Sequence, residues 1–295
     1  MTTGTDGWAV KCAMIGALPF DGTATPIEIL SESLKKTNTI QNTQGMYGTR
    51  SQHAEKSRLG QGAVAGTIEF VMSPAALVFL LPKILGANAS GTTFALADTM
   101  QTFAMQIDRG TKVFNYTGLM VNKATFKSSS GQFVNVSLDL IGVDEAIVAA
   151  GGGQSLTTPV DAPYQFEDGV MTIASTGYTM FDFELTIDNK LTSRFGNSLT
   201  ATRISPSDLR EVSLTTTTPF GSGEYALYNL ASAGVAVSLA LTNGGLSTTF
   251  TLPAVQFPAE SPTAGGKGEI PLKLSGIARM TSTTAELSIS HDSTP

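Results

Sequence analysis

The structural signals of this chain come in the same order twice, and that repetition limits the fold more than any single motif does. In the first half, Ile27 to Leu34 (IEILSESL) precedes a Thr49-Arg50 pair, then AGTIEFVMSP over 65–74 and an apolar helix candidate over 75–85. In the second, FELTIDNKL over 183–191 precedes Thr202-Arg203, then EVSLTTTTP over 211–219 and a helix candidate over 223–232. A strand signal over 102–108 is matched by one over 235–243. Each half then shows a strand, a polar loop closing on Gly and a last alternating strand: 118–126, 128–131 and 132–142, then 252–257, 258–268 and 269–276. The separation between matched positions narrows along the chain, as deletions in one copy would cause. Identities are few, and unrelated β-rich segments would also align in places. The shared order, with a helix in the same position, favours duplication.

The signals themselves are mostly strands. Val134, Val136, Leu138 and Leu140 fall on one face of QFVNVSLDLIG (132–142), with Asn135, Ser137 and Asp139 on the other. FDFEL over 181–185 and VAVSLAL over 235–241 alternate likewise, the latter running into the turn signal Thr242-Asn243-Gly244-Gly245. One helix has clear punctuation. Ser73 supplies an N-cap hydroxyl, Pro74 suits the first helical position and Gly86 marks the stop, while Pro82 predicts a break or kink. Thr37 to Gln61 reads as a long polar loop and Gly151 to Pro163 as a linker. The expected organisation is a first β-barrel over 1–150 carrying loop 37–61, a linker over 151–163, and a second, similar barrel over 164–295.

Composition narrows the function. Apolar residues make up 41% but charged ones only 14%, below the roughly 25% of an average soluble domain, so the surface is inexpensive to cover with neighbours. The net charge of −6, with no basic run denser than Lys35-Lys36, argues against nucleic-acid binding. Cys12 stands alone, so no internal disulfide framework is expected. Met1 to Trp8 is unlike a signal peptide, and Phe70 to Leu85 is too short and broken by prolines to span a bilayer, so no membrane association is expected.

Catalytic and metal signals are missing. His53 and His291 have no second His or Cys at ligand spacing. Asp108-Arg109-Gly110, Asp144-Glu145 and Glu167-Asp168-Gly169 read as turns rather than acid/base pairs, and Gly151-Gly152-Gly153 lacks the context of a phosphate loop. No enzymatic activity, cofactor or metal is expected. Asp182, Glu184 and Asp188 alternate on one strand face, either as a solvated face or as an acidic lining.

Ordered together, several phrases resemble phage tail tube proteins of the long-tailed type. They are GTIEFVMSP (66–74) followed by a helix ending Ile84-Leu85-Gly86, YTGLMV (116–121), VSLDLIG (136–142), FELTIDNKL (183–191) and LPAVQF (252–257). The resemblance covers roughly residues 60 to 280, and it implies a mainly β chain of two tandem sandwich or barrel domains, each with one short flanking helix. It also implies self-assembly into stacked rings of six barrels, made in the bacterial cytoplasm and ending in the virion tail, through which DNA passes without specific binding. Two barrels per chain favour a trimer with pseudo-sixfold symmetry over a hexamer. Tail terminator, tape measure and distal tail proteins would be the other partners. In that setting Gln41, Tyr47, Arg50, His53, Lys56 and Arg58 are candidates for contact between rings, and Asp182, Glu184 and Asp188 for the lumen lining. A tail terminator or distal tail ring of the same fold is the alternative. An exported surface module is disfavoured by the missing export signal and disulfides.

Overall fold

The computed structural model describes residues 6–20, 23–43, 45, 48, 50–149, 160–228, 234–258 and 260–293. Strand dominates, as the alternation predicts. The chain first forms β1 (Lys11–Ile15), β2 (Thr25–Ile27), β3 (Ile29–Glu32), β4 (Lys35–Asn42) and β5 (Ser57–Val71). Helix α1 (Pro74–Leu85) follows, then β6 (Thr93–Ala95), β7 (Phe103–Asp108), β8 (Lys112–Ser129), β9 (Asn135–Gly142) and β10 (Asp144–Ala149). After the linker come β11 (Gly169–Ile173), β12 (Thr176–Tyr178), β13 (Asp182–Asp188), β14 (Leu191–Arg194), β15 (Arg203–Pro206) and β16 (Glu211–Pro219). A short helix α2 (Tyr225–Tyr228) leads to β17 (Val235–Asn243), β18 (Leu246–Gln256), β19 (Pro271–Ala278) and β20 (Ser288–Asp292).

The antiparallel pairings before the linker recur after it. β1 joins β2 and β7, β3 joins β5, β5 joins β9, and β8 joins β7, β9 and β10. Likewise β11 joins β12 and β17, β13 joins β16, β16 joins β19, and β18 joins β17, β19 and β20. Even an irregularity is shared. The register shifts between Phe103↔Leu119 and Met105↔Tyr116, and again between Val235↔Val255 and Val237↔Leu252. Because a one-residue slip would turn every apolar side chain outward, such bulges are positioned features.

The two halves are not separate bodies. The far end of β8 pairs along its whole length with β13, from Lys123↔Asp188 to Ser129↔Asp182, so one sheet runs from β3 through β5, β9, β8, β13 and β16 to β19. β8 serves both layers because Gly118 lets it bend. Its φ of 61° is left-handed, and a Cβ there would come within 2.7 Å of Val143 Cγ2. β6 crosses over to pair with β20, opposing Phe94 and Ile289. A single apolar cluster takes side chains from both halves, with the rings of Phe126 and Phe250 5.1 Å apart and those of Phe166 and Phe183 stacked at 6.2 Å.

Helix α1 starts as the sequence predicts, with Ser73 Oγ accepting from Ala76 N and Pro74 in the first turn, and it ends at Gly86 with φ 92°. It runs on through Pro82 to Leu85, so of the break or kink expected there the break does not occur. Pro82 cannot donate to the carbonyl of Val78, but Val78 is exposed and water can serve that group. Of the helix candidate over 223–232, residues 225–228 are helical and 223–224 form a turn, while 229–232 lie outside the described residues. The segment 37–61 also departs from expectation, because it is a β-hairpin arm rather than a loop. β4 and the start of β5 pair from Lys35↔Ala65 to Asn42↔Ser57, leaving only 43–56 as the tip. Its Thr, Asn and Gln residues suit a ribbon wet on both faces, which apolar alternation cannot reveal.

Candidate assembly surfaces

Three surfaces combine the residues singled out in the sequence. The first is the arm. Gln41 and Arg58 are register partners near its end, while Arg50, His53 and Lys56 lie on the exposed tip, where Thr43 N donates to Lys56 O. Tyr47 lies outside the described residues. The arm also displays a cross-strand apolar pair that the polar reading passed over: Ile40 and Leu59 are register partners, 70% and 58% exposed. A Cβ at Gly62 would meet the side-chain end of Asn38, which here occupies the space left by the glycine. Gly62 N donates to Leu199 O at 2.8 Å, which ties the base of the arm to the loop between β14 and β15.

The second surface is the outer face of the continuous sheet. Asp182, Glu184 and Asp188 do share it, as the alternation of β13 requires. They are not a purely acidic strip. Lys127 lies opposite Glu184 and Lys123 opposite Asp188, so lysines of the first half alternate with carboxylates of the second. Asp182 Oδ1 also accepts from Thr217 N at 2.8 Å, and Asp188 binds Lys190 Nζ at 2.7 Å and Lys190 N at 3.0 Å. Between them stand hydroxyls, including the Thr125–Thr186 and Thr215–Ser275 pairs. Hydroxyls with interspersed lysines and carboxylates make a wet face that carries no concentrated charge of either sign.

The third surface is the sheet edge at β3 and β4, which among the described residues pair only through β5. Beside it lies a clamp that the sequence did not reveal. Arg109 Nε and Nη2 bond the two carboxylate oxygens of Glu32 at 2.8 and 2.9 Å, and Nη2 also reaches Leu34 O at 2.8 Å. Tyr116 donates to the same carbonyl at 2.8 Å, and the guanidinium stacks 4.4 Å from the Phe114 ring centre. The bond to Glu32 raises the Arg109 pKa further above its ordinary range, and burial pushes the Tyr116 hydroxyl up to about 12. Asp108-Arg109-Gly110 is indeed a turn, closed by Asp108 Oδ1 on Gly110 N. The role of Arg109 depends on a partner 77 residues away, which no local pattern discloses.

Among the described residues, no group of three or more His, Cys, Asp or Glu is arranged to hold a metal ion, and no helix is long and apolar enough to cross a membrane. His291 is buried in a structural network. Its Nε2 bonds Pro74 O at 3.1 Å and its Nδ1 faces Thr248 Oγ1 at 2.9 Å, which in turn meets Tyr164 Oη at 3.1 Å.

The chain is thus mainly β, with an open sheet edge at β3 and β4, an extended polar arm and a weakly charged outer face. The family model for phage tail tube proteins matches residues 5–278, and the chain belongs to that family. It is therefore a structural tail tube protein, a component of the virion tail. Among curated proteins, none matches the chain.

Proposed function

We propose that this protein closes into rings of three chains and that the rings stack into the tube through which DNA leaves the virion. Residues 1–150 and 164–295 each act as one tube unit, so three chains give six units with pseudo-sixfold symmetry. One observation carries this reading. In the second half, β13 is covered on its outer edge by β8 of the first half, whereas the matching edge at β3 and β4 has no such neighbour among the described residues. A head-to-tail ring supplies the missing neighbour at every such edge and then closes.

In such a ring the sheet face bearing Asp182, Glu184 and Asp188 turns to the lumen, where alternating lysines and carboxylates give DNA no continuous basic track to bind. The arm, with Gln41, Arg50, His53, Lys56, Arg58 and the Ile40–Leu59 pair, reaches the adjacent ring. Tail terminator, tape measure and distal tail proteins meet the tube at its ends and inside it. Mass measurement of isolated rings, with electron microscopy of the same sample, tests the reading. Three chains per ring and stacked discs or tubes are expected. Six chains per ring would overturn the two-unit assignment, and a strictly monomeric protein at high concentration would overturn the assembly.

A further inference from the structure

The segment leading into the second half docks closely onto the first. Asp161 Oδ2 accepts from Ala75 N at 2.9 Å at the start of α1. The fully buried Tyr164 donates its N–H to Met72 O at 3.1 Å, and its carbonyl accepts from Val134 N at 2.9 Å. Phe166 N then reaches Gln132 O at 2.9 Å, and Glu167 Oε1 accepts from Gly131 N at 2.8 Å. Phe133 and Gln165 are thereby antiparallel bridge partners, and a 3-10 turn over Phe166–Asp168 delivers the chain into β11.

The start of the chain has the same shape without the same support. A 3-10 turn over Gly7–Ala9 leads into β1, which the shared pairings make the counterpart of β11. Trp8, the one tryptophan in the chain, sits on that turn 86% exposed. The second half carries the matching strand end. Phe220 N donates to Ile270 O at 2.9 Å, just as Met72 N donates to Val134 O at 2.7 Å. The next bonds in the series stop there. Gly268 O matches Gln132 O, which accepts from Phe166 N, yet among the described residues it has no backbone partner. An exposed indole has an apolar face available for contact, and an unused edge carbonyl invites an added strand.

We infer that residues 6–9 of each subunit dock on the second half of the neighbouring copy, beside Gly268 to Ile270. The N-terminal segment repeats between chains the contact that Gln165 to Asp168 make within one. The inference rests on the ring reading and adds to it the identity of one joint. The register carries over residue by residue. Asp6 lies opposite Glu269, as Gln165 lies opposite Phe133. Trp8 takes the place of Glu167 and covers the turn at Lys267, where an indole face also suits an ammonium group. The facing carboxylates of Asp6 and Glu269 weaken the joint at neutral pH. Burial of the indole opposes that cost.

The test uses the full-length chain carrying Asp6→Cys and Glu269→Cys. The carbonyl–amide pattern around Phe133 and Gln165 is that of a non-hydrogen-bonded antiparallel pair, whose Cα spacing of about 4.5 Å lies within disulfide range. Cys12 is buried, which pushes its thiol pKa up and keeps it out of the exchange. After oxidation, a denaturing gel without reductant is expected to show a ladder ending in a covalently closed ring, and neither single variant should show it. Trp8 emission of the unmodified protein is expected to move to shorter wavelength when rings form, and Glu269→Lys should lower the concentration needed for assembly. Rings that form with no ladder and no emission shift would overturn the joint while leaving the ring reading standing. A protein that never leaves the monomer would overturn both.

Discussion

At the residue scale, the side chains that hold this protein together are mostly not those that a search for chemistry would choose. Arg109 is the clearest case. Its pair with Glu32 is bidentate, partly screened, and shared with a backbone carbonyl and a ring face. Replacement by Ala leaves the Glu32 carboxylate in a half-buried site, and we expect a loss of about 2 kcal/mol, in line with hydrogen bonds to charged groups. Arg109→Lys keeps the charge but not the fork and should recover only part of it, as read by urea unfolding. His291 gives a different prediction. Burial is the main cause lowering its pKa below 6.5 in the folded protein. As pH falls, the unfolded chain therefore takes up the proton first. Stability from the neutral ring is held above about 6.5 and lost below it. Thermal midpoints from pH 7.5 to 5 should fall more in the natural protein than in His291→Gln. An equal fall in both would remove His291 as the cause.

At the scale of elements, the arm has the clearest consequence. A two-stranded ribbon exposed on both faces is marginal alone, and its exposed Ile40–Leu59 pair is the apolar patch that the proposed contact between rings would cover. Replacing 42–57 by a short Gly-Ser turn should leave the number of chains per ring unchanged and abolish stacking. Long tubes from that variant, seen by electron microscopy, would remove the arm from the contact between rings. The same element shows where sequence reading stops. Strands over 132–142 and 181–188 are legible because one face is buried and the pattern alternates. The arm buries neither face, so its residues carry no period and read as loop. Helix α1 was legible at both ends from Ser73, Pro74 and Gly86, but its passage through Pro82 was not, because the exposure of Val78, whose carbonyl loses its donor there, is set by the packing.

At the scale of the whole molecule, the two halves share a sheet and a core, so they should unfold together. Phe126 of the first half and Phe250 of the second meet at the centre, both fully buried. Phe126→Ala should lower stability by roughly 3–5 kcal/mol in a single transition, followed by calorimetry. Two separate transitions, with only one shifted, would show that the halves are independent cooperative units.

The sequence alone determined the β-rich class, the strands with one buried face, the position of helix α1 and the resemblance to tail tube proteins. These follow from side-chain period, capping and turn chemistry, all of which act over a few residues. The tertiary structure decided what lies far apart in the chain. It joined β8 to β13, set Arg109 on Glu32, alternated lysines with the carboxylates at 184 and 188, and docked residues 161–168 on the first half. Each of these depends on which strand edges and apolar faces meet once the core closes. That pairing satisfies backbone groups and packing across the whole chain at once, and no local window of sequence contains it.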